Sequence, residues 1–266
     1  MARAGHAAPG PGGALRLGRG RVRELGDRQA GHRDPRAGRG PGRRARRIPD
    51  RRHVSLPRRA WRSPVVVLAA GYAAGAVPFS NIAARRARGV DLRAVGTGTV
   101  SGTALYRVAG FGPLALAGIF DVAKGAVGPL LAGRDRPVLA AASGGLAVAG
   151  HNWSPFLAGA GGRGVSTAMG ALAPQQPAGA LFLLAGLSLG RVGGESAVGV
   201  LIADLAMVPL LSRLGGRRGR LAGGAVVLPM VLKRLLGNAR PRGAGPAVYL
   251  WRLVLDRDRP SPDPAA

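Results

Sequence analysis

The sequence predicts an all-α, polytopic integral membrane helical bundle of six to seven spans, preceded by a disordered basic arm. Three observations carry that expectation. Of the 266 residues, 47% are hydrophobic and only 4% aromatic, and the apolar residues fall in long runs without alternation. Those runs come close to the roughly 20 residues a helix needs to cross about 30 Å of hydrocarbon, about twice the length of a barrel strand. The formal charge of +27 is shared between two unlike regions.

Residues 1–62 hold 18 Arg against Glu24, Asp27, Asp34 and Asp50, with almost no apolar run. Such a stretch buries too little apolar surface to offset its ordering entropy, so it reads as a disordered arm. A second reading is a start codon set too far upstream, because Arg, Gly, Pro and Ala are what GC-rich codons yield in any frame. The arm has no aromatic interleaving and no periodicity, and no nucleic-acid partner is expected. No short apolar stretch with a small-residue cleavage site precedes Arg62, so no signal peptide is expected. The organisation is an arm at 1–62, a transmembrane domain at 63–238 and a tail at 239–266.

The predicted spans are 64–84, 112–133, 137–151, 165–189, 193–211 and 221–236, the third and sixth being short. The first connection carries Arg85, Arg86, Arg88 and Arg93, and the fifth carries Arg213, Arg217, Arg218 and Arg220. By the positive-inside rule, connections one, three and five face the cytoplasm. With six spans the basic tail after Lys233 falls on the wrong side, which points to a seventh crossing or a split helix hidden in this count.

With no cysteine there is no disulfide, thiolate nucleophile or Cys-ligated zinc. Of four histidines, His6, His32 and His53 lie in the arm, leaving His151 as the candidate for chemistry; no metal or cofactor is expected. His151 closes an apolar segment just before the loop Gly159-Ala160-Gly161-Gly162-Arg163-Gly164. A glycine loop with one guanidinium and little side-chain bulk can wrap its N–H groups around a phosphate. An ordinary glycine run in a protein with 45 Gly is the plain alternative.

The loop after span one offers a second anion cradle. Gly96, Thr97, Gly98, Thr99 and Ser101 alternate hydroxyls with small residues, and Arg107 follows with a fork that can grip two phosphate oxygens. Span two carries Asp121 and Lys124, three residues apart and on one helical face. Ionisable groups inside a span mark a functional cavity or a buried pair. Lys124 stands out because the chain has 37 Arg and two Lys.

Four collinear segments, GYAAGAVPFSNI (71–82), DLRAVGTGTVSGTALYR (91–107), DVAKG (121–125) and GHNWSPFLAGAGGRGVST (150–167), resemble the bacterial acyl-phosphate:glycerol-3-phosphate acyltransferases, the PlsY family. The resemblance covers about residues 65–236. It implies a helical membrane enzyme of seven spans that moves an acyl group from acyl phosphate to the 1-hydroxyl of glycerol 3-phosphate. The products would be lysophosphatidic acid and inorganic phosphate, with no metal and no acyl carrier protein. It also implies residence in the bacterial cell membrane with the site loops facing the cytoplasm. The oligomeric state is not implied.

Carried over residue by residue, the resemblance makes Thr97, Arg107, Lys124 and His151 the catalytic set. Gly96, Gly98, Thr99, Ser101, Gly161, Gly162, Arg163 and Gly164 would bind substrate phosphate. Thr97 stands at the family's serine, and Arg163 replaces the second lysine of its glycine loop. Thr99 and Ala104 stand at two asparagine positions, Ala160 at the first loop lysine, and Leu228 and Val231 at a late His and Asn. The family's serine in the fifth-span region has Gly194 and Ser196 near it. A family member that binds phospholipid precursors without turnover, or a small-solute transporter, are the alternatives.

Overall fold

In the computed structural model, residues 63–239 and 245–257 are described; the predicted arm at 1–62 and residues 240–244 and 258–266 of the tail lie outside them. Among the described residues there are helices and turns and no strand. α1 (Pro64–Ala76) begins at Ser63, whose Oγ accepts from Val66 N at 3.3 Å, with Pro64 set for the first turn. It stops at Val77-Pro78, because proline lacks an N–H and forces Val77 into extended backbone. α2 (Phe79–Arg88) carries Arg85, Arg86 and Arg88 in its last turn, where cations meet the negative end of the helix dipole. The predicted first span, 64–84, is thus two helices.

α3 (Gly102–Ala109) is a short helix leading into α4 (Phe111–Ala132), and α5 (Pro137–Asn152) returns from the far end. α4 and α5 match the predicted second and third spans. α6 (Val165–Leu172) and α7 (Pro177–Val192) take the place of the predicted fourth. That run is no single crossing, because Pro174, Gln175, Gln176 and Pro177 break it. α7 then runs antiparallel to the start of α8, with Gly190 against Gly199 and Gly179 against Met207 and Leu211.

α8 (Ser196–Leu236) is two helical limbs joined at Gly216, whose φ of 56° and ψ of −136° only glycine adopts readily. Past it the chain doubles back: Gly219 sits against Leu211, and Gly223 against Met207. The limbs correspond to the predicted fifth and sixth spans. α9 (Ala247–Leu255) follows. Among the described residues the bundle therefore holds seven packed helical segments, namely α1, α4, α5, α6, α7 and the two limbs of α8, of which α6 is short. By length and apolarity, the continuous stretches Pro64–Arg88, Phe111–Ala132 and Ser196–Leu236 can cross a membrane.

The seventh segment corrects the predicted sidedness. Arg213, Arg217, Arg218 and Arg220 flank Gly216, at the start of a limb of about 20 residues, or roughly 30 Å, that ends near the glycine loop. The fifth connection thus lies at the end opposite connections one and three, and the chain after α8 returns to the loop end.

Small residues let helices meet closely, and many large apolar side chains face outward. Gly71 and Gly75 of α1 abut Ser143 and Ala147 of α5, and Gly125 and Gly170 close the seam between α4 and α6. Leu116, Ile119, Leu130, Leu181, Ile202, Leu205 and Leu228 are exposed. In lipid the tails are as apolar as leucine, so close backbone packing, and not burial of bulk, holds such helices together.

Candidate functional site

The turn at 91–101 is organised by carboxylate and amide groups. Asp91 accepts from Arg93 N at 3.0 Å and Arg93 Nη2 at 2.7 Å, and Arg85 Nη2 lies on the same carboxylate. Those bonds from Arg93, with Arg85 adding to them, hold the Asp91 carboxyl well below its ordinary value, against the opposing effect of burial. Arg93 is pinned in return, with its own pKa raised by the Asp91 bond. Leu92 N donates to Asn81 Oδ1 at 2.8 Å, fixing the turn to α2.

The two predicted cradles meet. Val100 N donates to Gly161 O at 3.1 Å. Asn238, just past α8, donates through Nδ2 to Gly98 O at 3.0 Å and Gly161 O at 2.9 Å, and accepts from Gly161 N at 3.2 Å. Gly162 is clamped between elements: a Cβ there would overlap His151 Nε2 and stand 2.7 Å from Val100 O. Gly164, at φ 77°, turns the loop into α6.

The hydroxyls divide their work. Thr97 is exposed and donates to Thr99 Oγ1 at 3.0 Å, while Thr99 is buried and accepts from Arg163 Nη2 at 3.4 Å. Ser101 Oγ caps α3 by accepting from Ala104 N at 3.2 Å, so that oxygen serves the helix start. Arg107, in the last turn of α3, is exposed and has no hydrogen bond or ion pair among the described residues.

Beneath the loops lies a buried charged cluster. Lys124 Nζ is 2.7 Å from Asp121 Oδ1 and donates to Val77 O at 2.6 Å, with the Phe79 ring centroid 5.6 Å away. At the α1–α2 break the Val77 carbonyl leaves the helical ladder and accepts from Phe79 N at 3.1 Å as well as from Lys124. Ser80 Oγ donates to Asp121 Oδ2 at 3.0 Å, and His151 Nδ1 stands 3.9 Å from Asp121 Oδ1, beyond hydrogen-bond reach. Asp121 and Lys124 are 3% and 4% exposed, so the pair the spacing pointed to is formed and buried.

Arg163 turns away from that cluster. Its Nε lies on Asp256 at 2.8 Å, its Nη1 on Lys233 O at 2.7 Å, and its Nη2 on Thr99. Burial pushes the Asp256 carboxyl above its ordinary value, with Arg163, at 2.7 Å, pulling it back. A cleft of about 80 Å³ opens here, bounded by Thr97, Arg163, Asn238, Arg252, Asp256 and Arg257 together with the backbone of 237–239.

Sequence reasoning missed Asn238, Lys233 and Asp256. Lys233 is fully buried, its Nζ 3.5 Å from Gly159 O and 5.2 Å from the Trp153 ring centroid. The rarity of lysine that marked Lys124 marks Lys233 equally. Asn238 follows the helix-ending Gly237, a local cue to a cap but not to its bridging role. Nothing around Asp256 distinguishes it in the chain. Among the described residues, no group of three or more His, Asp or Glu side chains is placed to hold a metal.

A helical membrane bundle carrying a cationic, hydroxyl- and amide-lined cleft at one end defines the class of protein. The model of the glycerol-3-phosphate acyltransferase family matches residues 65–240. Glycerol-3-phosphate acyltransferase 1 of Deinococcus radiodurans is 45% identical over 116 residues, 42% of this chain and 58% of that one. The matched stretch thus spans little more than half of that relative. A glycerol-3-phosphate acyltransferase of Synechococcus sp. (strain CC9902) is 34% identical over 194 residues, 68% of this chain and 95% of that one. Two crystal forms of PlsY (YgiH), an integral membrane glycerol 3-phosphate acyltransferase, are similar in fold. The glycerol 3-phosphate form has TM-score 0.58 at 26% identity, covering 64% of this chain and 88% of that one. The lysophosphatidic acid form has TM-score 0.52 at 25% identity, covering 71% and 98%.

The chain belongs to the glycerol-3-phosphate acyltransferase family.

Proposed function

We infer that the protein transfers a fatty acyl group from acyl phosphate to glycerol 3-phosphate, releasing lysophosphatidic acid and inorganic phosphate. The observation that carries this reading is the junction of 96–101 with 159–164, tied by Asn238 and Val100 beside a cationic cleft. Forms of the structurally similar enzyme with glycerol 3-phosphate and with lysophosphatidic acid support the substrate and product.

Acyl phosphate is a mixed anhydride and needs no covalent acyl-enzyme. The 1-hydroxyl oxygen of glycerol 3-phosphate attacks the acyl carbonyl carbon, the bond from that carbon to the phosphate oxygen breaks, and the departing phosphate takes the hydroxyl proton. The chain's part is positioning and charge neutralisation. Arg163 and Arg107 neutralise phosphate and Thr97 offers its hydroxyl, while the amides of Gly161 and Gly162 donate to Asn238 Oδ1 and His151 O and so hold the shape of the loop. Lys124 acts chiefly from beneath, since Asp121 and Val77 O occupy much of its donor capacity. Acyl chains enter from the bilayer between apolar helices.

The loop end faces the cytoplasm in this reading, with Arg85, Arg86, Arg88 and Arg93 in the end of α2 and the turn that follows it. A cysteine placed at Arg86 in this cysteine-free chain resists a membrane-impermeant maleimide in intact cells; labelling of intact cells refutes the orientation. The activity is tested with purified protein, labelled glycerol 3-phosphate and palmitoyl phosphate. Lysophosphatidate forms, and Arg107→Ala abolishes it, because Arg107 is exposed with its guanidinium available. A folded wild type that binds phosphate but forms no product favours the binding-only reading.

A further inference from the structure

We propose that Asp256 is a positioning residue of the phosphate site, fixing the Arg163 guanidinium so that its outward N–H groups meet a substrate phosphate. The proposal rests on the reading that Arg163 holds phosphate. A guanidinium has five N–H groups in a rigid plane. Here Nε is on Asp256, one Nη1 hydrogen is on Lys233 O and one Nη2 hydrogen is on Thr99 Oγ1. One hydrogen on each terminal nitrogen is left to meet phosphate oxygen.

The residue type at 163 is the reason a clamp is needed. An ammonium is a point charge that works from many angles, whereas a fork works only when it is aimed. The resemblance places lysine at this position in the family, and this chain places Arg163 there. Asp256 lies beyond the stretch 65–240 matched to the family, so the arginine and its carboxylate come from different parts of the chain and meet at one cleft.

Asp256 is itself held firmly. It ends α9 in the left-handed conformation, at φ 58°, which aspartate tolerates better than most side chains and which persists where surroundings over-determine it. One turn earlier, Arg252 donates to Leu236 O at 2.9 Å and Ala239 O at 3.0 Å, tying α9 to the end of α8. Val248 is buried at the start of α9, and Arg257 Nη2 donates to Glu195 Oε1 at 2.8 Å. A carboxylate presented this way reaches Arg163 with little freedom of its own.

The test compares Asp256→Asn, Asp256→Glu, Arg163→Lys and the Asp256→Asn/Arg163→Lys double variant as full-length protein in detergent. Asparagine keeps the volume and the backbone preference and removes the charge. The KM for each substrate, kcat, and the affinity for inorganic phosphate by titration calorimetry are read. Asp256→Asn raises the KM of one phosphate-bearing substrate about tenfold, the scale of one hydrogen bond to a charged group, with kcat within about twofold. Phosphate affinity falls by a similar factor, and Asp256→Glu recovers most of both. With Arg163→Lys in place the Asp256→Asn change has no further effect, since there is no fork left to aim.

Unchanged KM and phosphate affinity in Asp256→Asn overturn the proposal. So does a fall in KM, which would make the carboxylate a competitor of phosphate, or an equal loss with and without Arg163, which would make Asp256 a tether for the tail. If the wild type forms no lysophosphatidate, the acyltransferase reading fails on its own, and the phosphate titrations still decide the role of Asp256.

Discussion

Gly162→Ala tests the junction of the two loops with a single methyl group. Gly162 has no positive φ, so the substitution brings no backbone strain of the left-handed kind; its effect is steric. The added Cβ overlaps His151 Nε2 and presses on Val100 O at 2.7 Å. Overpacking of this sort costs typically about 1–3 kcal/mol. The imidazole is anchored on α5 beside Asp121, so the loop gives way, and it does so by drawing Gly161 O away from Val100 N and Asn238 Nδ2. If that cost is drawn from the geometry that holds phosphate, kcat/KM falls roughly 5- to 150-fold, at about tenfold per 1.4 kcal/mol. The assay is lysophosphatidate formation in micelles, paired with thermal unfolding. Gly224→Ala on α8 is the control, because nothing stands within 4 Å of the methyl group it adds. Wild-type kcat/KM in Gly162→Ala would refute the argument that this contact sets the site.

Two further outcomes follow from charge. Lys124→Met leaves Asp121 buried without its cation, which costs about 3–5 kcal/mol, and Lys124→Met/Asp121→Asn recovers much of that loss in thermal unfolding; a double variant no more stable than the single one contradicts the pairing. Asp91 has its carboxyl pKa depressed in the fold, so its contribution is present above the ordinary value of 3.8 and is lost as pH falls below it. The melting temperature of Asp91→Asn therefore lies below wild type at pH 6 and converges with it on acidification below about pH 4; a constant difference contradicts the assignment.

Much of the site was legible because its parts are local. Glycines, hydroxyls and an arginine within a few residues of one another define a loop chemistry whichever way the chain runs afterwards. Asp121 and Lys124 were legible for the same reason, one helical turn fixing their face. The segment count misled where one short run overrode a long trend: 165–189 is apolar throughout except for a Pro-Gln-Gln-Pro stretch, and that stretch hides a reversal of direction. Ser101 shows a second limit, since a hydroxyl suited to phosphate is equally suited to starting α3. Lys233, Asn238 and Asp256 were out of reach for a different reason. Their partners stand 70 or more residues away, and contacts of that span leave no periodicity in the chain.

An odd number of helical segments between them sets Ser63 and Arg257 at opposite, chemically unlike ends of the described bundle. A purification handle or fluorescent fusion joined behind Arg257 hangs beside the arginine cleft and crowds it. The same cargo joined ahead of Ser63 leaves from the opposite end of the bundle, and is the placement that keeps that cleft clear.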